Sequence, residues 1–473
     1  MYKVGLYTLG CKVSLYETEA IGEAFEEAGF EVCSFEDVCD VYVINTCTVT
    51  AESDAKSRKY IRRAIRKNPG AVVIVVGCYS QRAPLEVAEI EGVSAVLGTA
   101  DKMKSVEIAK RLLNAECRMQ SAVSSNKTVD NCFLRSECAE TRSNGSEACP
   151  HEQYDYVSRV NYVTSLEGTP FEPMCVKSAP RTRAYVKIED GCECRCTYCA
   201  ISAARGPVRS KKPMEVISEV EGLYKNGTLE IVLTGIETGS YGADFDEKYD
   251  LATLICELDE RHSCERIRLG SMAPELLTEK FIDKIAGTKI MVPHFHISMQ
   301  SGADNVLHGM KRRYNRTMAL KNIAHIREKM PDVMLTADLM VGFPGESEED
   351  FLDTLAFVRE ARLLDAHVFA YSKREGTPAA TYENQIPEQV KKDRSARLME
   401  EVRRVRDENL QSVIDLRRPL SVILETRKGS VYHGHSDSYI EVCAESKKDL
   451  RGELVLVEPI RHENGIIYGK IIT

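Results

Sequence analysis

From Arg183 onward the chain repeats one pattern six times, a β-rich apolar run followed by a helical stretch. The runs are AYVKIED, LEIVLTG, ERIRLG, VPHFHISM, VMLTADLMVGF and AHVFAYS. Such alternation builds a parallel sheet covered by helices, and six units in sequence fit an incomplete (βα)6 barrel better than an open sheet. One helical stretch opens with Ser347 three residues before Asp350, an N-terminal capping pattern. Sites in barrels of this kind sit at the carboxyl ends of the strands, so the loops after these runs are where chemistry is expected.

The first 115 residues repeat the theme on a smaller scale. YKVGLYT, DVYVINT and AVVIVVG are strand-like, and SLYETEAIGEAFEEAG and SDAKSRKYIRRAIRKNP are helical, the latter closed by Pro69 and Gly70. This predicts a separate N-terminal α/β domain with its own parallel sheet. Residues 116–178 lose the periodicity and read as a polar linker or insert carrying Cys117, Cys132, Cys138, Cys149 and Cys175 as surface thiols. The barrel is expected over 179–410, ending in a charged helix. Residues 417–473 hold short β-runs separated by turn residues, which predicts a small all-β barrel. The fold class is α/β with that all-β module appended.

Cysteine is unusually abundant, at 17 residues, and tryptophan is absent. The opening MYKVGLYTLG lacks a basic stretch followed by an apolar core, and no run approaches the ~18 apolar residues of a membrane helix. The chain is therefore expected in the cytoplasm with no membrane partner, where clustered thiols bind metal or do chemistry. Cys192, Cys196 and Cys199 form C-x3-C-x2-C directly after the first barrel strand. Three thiolates on a cubane [4Fe-4S] cluster leave one iron open. That vacancy suits chelation by S-adenosyl-L-methionine, whose reductive cleavage yields a carbon radical. The competing reading is a closed zinc site that also uses Cys194, but structural zinc sites usually draw on two separated pairs. Cys11 follows the predicted strand YKVGLYT by a short turn, and Cys47 and Cys78 end VYVINT and VVIVVG, so all three fall on one sheet edge. They either converge on a second metal site or are buried packing thiols. Cys33, Cys39, Cys256, Cys264 and Cys443 read as packing residues.

TLGCKVSLYETE, INTCTVT and VVGCYSQ, followed by the Cys192–Cys199 loop, resemble the radical-SAM methylthiotransferases, and the C-terminal β-module resembles their TRAM domain. RTRAYVKIEDGC and ARGPVRS look most like the branch that acts on tRNA. The resemblance implies two [4Fe-4S] clusters, the auxiliary one on Cys11, Cys47 and Cys78, with S-adenosyl-L-methionine at the other. It implies methylthiolation at C2 of N6-threonylcarbamoyladenosine at position 37, so the tRNA anticodon loop is the partner, with an electron donor such as flavodoxin or ferredoxin. Sister branches act on isopentenyladenosine in tRNA or on an aspartate of ribosomal protein S12; a zinc-stabilised RNA-binding module is the non-catalytic alternative. Two departures stand out, Ser14 where the family has Asn, and RSKKP in place of RSR.

Strand-end residues Gly235, Glu237, Gln300, Ser301 and Gly342 are expected to hold the cofactor. His294 and His296 alternate along one strand and read as packed, satisfied histidines. The net charge of −9 excludes a chain that is basic throughout, so RNA contact must come from local patches. Between Lys56 and Lys67 lie seven basic residues and no acid, with Arg58, Arg62 and Arg66 on one helical face. Arg205 and Arg209, with Lys211 and Lys212, form a second candidate patch beside the cysteine loop. From Arg418 to Thr473 the terminal module is neutral, with eight basic and eight acidic residues.

Overall fold

VYVINT and VVIVVG are apolar at nearly every position, and every residue of both is buried. That is the signature of central parallel strands covered on both faces. The computed structural model, which describes residues 1–124, 161–179 and 182–472, places them in a five-stranded sheet of order β2-β1-β3-β4-β5. The strands are β1 (Lys3–Thr8), β2 (Glu31–Cys33), β3 (Val41–Thr46), β4 (Val72–Gly77) and β5 (Ala95–Val96), and every pairing is parallel. Ile21, Phe25, Ile108 and Leu113 pack on one face; Ile61, Ala64, Tyr79 and Val87 pack on the other. Residues 1–48 and 52–165 make up this unit, and residues 49–51 and 166–473 a second.

The first unit reaches past the boundary expected at residue 115. Its helix Ser105–Ser124 continues because SVEIAKRLLNAECRMQSAVS has no Gly or Pro to stop it, and Asn161 bridges to Val96. Cys132, Cys138 and Cys149, expected in the linker, lie outside the described residues, as does the side chain of Cys117; Cys175 is described and exposed.

In the second unit the six predicted βα repeats form the strands of a partial barrel. They are β6 (Arg183–Lys187), β9 (Glu230–Thr234), β10 (Arg266–Leu269) continuing into β11 (Ser271–Met272), β12 (His294–Gln300), β13 (Met334–Val341) and β14 (Asp365–Ala370). They run parallel in two arcs, β10-β9-β6 and β11-β12-β13-β14, and the bridge from Ile267 to Met291 joins them. The helix Glu348–Glu360 starts at Ser347 with the expected capping box, completed by Asp350. One element was not foreseen. The end of AYVKIED breaks away as β7 (Glu189–Asp190), which pairs antiparallel with β8 (Arg209–Ser210) and so brackets the cysteine loop.

The C-terminal module is a closed barrel of five strands in the order β15-β16-β17-β19-β18. These are β15 (Leu420–Lys428), β16 (Val431–Ser436), β17 (Glu441–Glu445), β18 (Leu454–Glu463) and β19 (Ile466–Ile471). The run VYHGHSDSYIEVCAE divides into two strands at the turn containing Tyr439, whose φ of 69° is left-handed. This turn meets the amino-terminal ends of the barrel strands. The Tyr439 ring stacks on His294 with centroids 4.6 Å apart, and lies under the guanidiniums of Arg268 (4.9 Å) and Arg183 (5.7 Å). Arg183, Glu230, Arg266 and His294 are each the first residue of their strand. Glu230 accepts from Arg268 Nε at 2.8 Å, Arg266 donates to Ser421 O at 2.9 Å, and Arg183 pairs with Glu425. The module is thus seated on the floor of the barrel, and its carboxylates help neutralise buried arginines that Glu230 alone would leave in excess.

Candidate functional site

The loop after β7 runs Gly191-Cys192-Glu193-Cys194-Arg195-Cys196-Thr197-Tyr198-Cys199. Gly191 has φ 98°, and a Cβ there would sit 1.9 Å from Pro207 O, so only glycine fits the close crossing. Cys192 N donates to Gly206 O, Thr197 N to Met310 O, and Thr197 Oγ1 to Gly309 O, while Ala379 N donates back to Thr197 O. The loop is therefore pinned on several sides before any metal binds.

The sulfurs meet donors. Arg312 Nη1 lies 3.2 Å from Cys196 Sγ, and Ile201 N lies 3.4 Å from Cys199 Sγ. The Arg312 guanidinium is held in turn by Ser298 O at 3.0 Å and Tyr314 Oη at 2.9 Å. Burial pushes the Cys196 and Cys199 thiols up, against the opposing charge of Arg312. A hydrogen bond with Cys192, aided by Arg312 and Arg313, holds Cys194 down at about 6. Sequence reading missed Arg312, whose only signal was its cationic type in the connection between the helices Asp304–Gly309 and Arg316–Lys329.

Among the described residues no three His, Cys, Asp or Glu side chains converge as ligands of a single metal ion. A cubane cluster asks something different, since each thiolate binds its own iron. Sulfurs that accept N–H bonds from a buried arginine and a backbone amide suit such a group. Nearby, Glu189 Oε1 and Glu275 Oε2 are buried without a hydrogen-bond partner, as expected where a donor-bearing ligand completes the site.

The predicted cofactor residues divide into two kinds. Glu237 is buried; its amide donates to Glu189 Oε2 at 2.9 Å, its Oε1 accepts from Ala273 N at 3.2 Å, and burial pushes its carboxyl up to about 8. Gly235 permits that approach, since a Cβ there would meet Glu189 Oε2 at 2.4 Å. Gln300 ends β12 with φ 67°, a left-handed backbone rare for its type. By contrast, the Ser301 hydroxyl is engaged with Thr354 Oγ1 and Ala303 N, and Gly342 makes room for the Lys391 stem. Both have packing roles.

In the N-terminal unit, Cys11, Cys47 and Cys78 follow β1, β3 and β4, three neighbouring parallel strands, and so share the carboxyl edge of the sheet. Cys11 is exposed; Cys47 and Cys78 are buried. A Cβ on Gly10 would lie 3.4 Å from Cys47 Sγ, which brings the turn bearing Cys11 against Cys47. Ser14 Oγ is 3.9 Å from Cys11 Sγ, so this departure from the family pattern falls beside a candidate ligand.

The RNA candidates are partly corrected. Arg205 and Arg209 are buried, Arg205 within 3.3 Å and Arg209 within 3.4 Å of Asp190, so they offer no surface to a phosphate. Lys211 is likewise buried against Glu219. Their charge is spent on fastening β7, β8 and the cysteine loop. Arg58 donates to Tyr79 Oη and Glu86. Arg62 and Arg66 are exposed, and Lys59 joins them on the same face of the helix Ala51–Lys67.

A partial parallel barrel with a three-cysteine loop after its first strand defines a radical-SAM enzyme. Residues 186–358 match the radical SAM superfamily, and residues 3–98 match the uncharacterized protein family UPF0004. The chain is 37% identical to threonylcarbamoyladenosine tRNA methylthiotransferase MtaB of Bacillus subtilis over 98% of this chain and 94% of that protein. It is 34% identical to the Aquifex aeolicus protein of the same name, over 96% and 99%. It is 31% identical to tRNA-2-methylthio-N(6)-dimethylallyladenosine synthase of Alkaliphilus oremlandii, over 87% and 80%. In fold it resembles the radical S-adenosylmethionine methyltransferase TsrM of Kitasatospora setae, with TM-score 0.52 at 16% identity, covering 80% of this chain and 77% of that one. The chain belongs to the radical-SAM methylthiotransferase family. No helix among the described residues is long and apolar enough to cross a membrane.

Proposed function

We propose that this chain transfers a methylthio group to C2 of N6-threonylcarbamoyladenosine at position 37 of tRNA. The observation that carries the reading is likeness across nearly the whole chain to the two MtaB proteins, at higher identity than to the dimethylallyladenosine synthase. Cys192, Cys196 and Cys199 would hold one [4Fe-4S] cluster and Cys11, Cys47 and Cys78 a second. When bound, the clusters and S-adenosyl-L-methionine supply radical chemistry able to open an aromatic C–H bond that has no acidic proton for a base to take.

The chain's own residues do the holding. Glu237, kept neutral by burial, and Glu189, with a lone acceptor oxygen, suit the hydroxyl and ammonium donors of the cofactor. Arg312 supports the cysteine loop. Lys59, Arg62 and Arg66 would meet phosphates near the anticodon loop. The remaining partner of the proposal is an electron donor such as flavodoxin or ferredoxin, and its setting is the cytoplasm.

Mass spectrometry of tRNA nucleosides from a deletion strain tests the reading. The expected result is N6-threonylcarbamoyladenosine without its 2-methylthio derivative, restored by the intact gene. Unchanged 2-methylthio-N6-threonylcarbamoyladenosine would refute it.

A further inference from the structure

β12, β13 and β14 each turn one face away from the barrel interior. On that face Phe295, Ile297, Leu335, Ala337 and Leu339 are wholly buried. The alternate residues form the opposite face. At its floor His294 stacks on Tyr439. At its upper end Met340 and Phe369 pack in the apolar cluster that includes Tyr198 of the cysteine loop. The face therefore leads from the seated β-module to the cysteines.

Midway along it lies a polar row. Asp338 Oδ2 is 3.2 Å from His296 Nε2, and Asp338 Oδ1 is 3.3 Å from His367 Nδ1. His296 Nδ1 is 2.8 Å from Thr336 Oγ1, which also meets His294 Nε2 at 3.0 Å. Each ring thus presents an N–H to Asp338, and the second nitrogen of His296 is committed to Thr336. The second nitrogen of His367 is not committed, and its side chain is 73% exposed. The hydrogen bond to Asp338 raises the His367 pKa, which favours the imidazolium form.

The position of the row matters. Ser298 O, two residues beyond His296 on β12, accepts from the same Arg312 that contacts Cys196. At ~3.3 Å per residue, His296 lies about 7 Å along the strand from that level. In adenine, C6, which bears N6, is separated from C2 by N1 alone, so the C6–N6 bond splays obliquely away from the C2–H bond, and the threonylcarbamoyl group extends beyond N6. A base that presents C2 toward the cysteine loop therefore directs its N6 substituent obliquely away from that loop, toward the barrel wall on which the row lies. The substituent ends in a carboxylate, a group that an imidazolium N–H binds well. An isopentenyl group has no such charge.

We propose that the His296–Asp338–His367 row is the subsite for the threonyl carboxylate, with His367 Nε2–H as the donor and Asp338 and His296 as positioning residues. This rests on the substrate proposed above. It assigns discrimination among N6 substituents to three residues that no cluster or cofactor role requires.

The test uses cluster-reconstituted enzyme and three stem-loop RNAs with threonylcarbamoyladenosine, isopentenyladenosine or adenosine at position 37. Binding is followed by fluorescence anisotropy, and product by nucleoside mass spectrometry. The wild type should prefer the threonylcarbamoyl RNA. H367Q should lose about tenfold of that preference, the worth of a charge-assisted bond, and H367K should recover part of it. Affinity for the adenosine RNA and RNA-independent cleavage of S-adenosyl-L-methionine should not change. D338N should reduce the preference in the same direction. Retention of full preference by both H367Q and D338N would overturn the subsite and leave the substrate reading intact. A wild type without preference would overturn the substrate reading and the subsite together.

Discussion

Arg312 donates through Nη1 to the sulfur of Cys196 at 3.2 Å, while Ser298 O and Tyr314 Oη fix the rest of its guanidinium. A buried cation bonded to a cluster thiolate stabilises the more negative, reduced state of that cluster, so it should raise the midpoint potential. R312Q is expected to lower the potential of the cluster on Cys192, Cys196 and Cys199 by on the order of tens of millivolts, and R312K by less. An EPR-monitored redox titration of the iron-loaded variants measures this. A potential that does not move in R312Q would reduce Arg312 to a packing residue.

Why Arg312 escaped the sequence is instructive. The cysteine triad and the six βα repeats are local patterns, legible because period and spacing are properties of neighbouring residues. Arg312 lies 116 residues from Cys196 in sequence and reaches it only through the closure of the barrel. Arg205 and Arg209 fail in the opposite sense. A basic run next to a loop looks solvated, yet Asp190 on the unforeseen strand β7 draws both inward. Burial of charge depends on partners that spacing does not reveal. The shared sheet edge of Cys11, Cys47 and Cys78 was legible for a different reason: once three strands are parallel neighbours, the residues that follow them must lie together.

The two proposed sets of three ligands make a simple prediction about iron. The wild type should carry about eight irons, and C11A/C47A/C78A or C192A/C196A/C199A about four each, if every set holds one [4Fe-4S] cluster. C194S should retain about eight, because Cys194 lies outside both sets. Colorimetric iron analysis with Mössbauer spectra of anaerobically reconstituted protein measures all four. Full iron content in C11A/C47A/C78A would exclude an auxiliary cluster on those residues.

The exposed face of the helix Ala51–Lys67 predicts salt-dependent tRNA binding. Lys59, Arg62 and Arg66 have no ion-pair partner among the described residues, unlike Lys56, Arg58, Arg63 and Lys67. K59E/R62E/R66E should weaken tRNA binding and flatten the plot of log affinity against log salt by roughly two units of slope. The melting temperature should stay close to wild type, since the apolar contacts of Ile61 and Ala64 are untouched. Filter binding across a salt series provides the measurement. An unchanged slope would move the RNA interface elsewhere.

Glu237 predicts a pH dependence of stability. Burial raises its carboxyl from the ordinary 4.5 to about 8. Between those values the unfolded chain gives up a proton that the folded chain keeps. The contribution of the neutral acid is therefore complete below 4.5 and declines as pH rises, by up to roughly 1.4 kcal/mol per pH unit, until the folded carboxyl ionises near 8. The glutamine in E237Q preserves the side chain's shape and its acceptor for Ala273 N, but has no proton to lose. Its stability should fall less than that of the wild type across this window, so E237Q should gain on the wild type as pH rises. Urea denaturation of both proteins at about pH 5 and about pH 8 measures the difference. Parallel curves would mean that the carboxyl ionises in the folded protein as readily as in the unfolded chain.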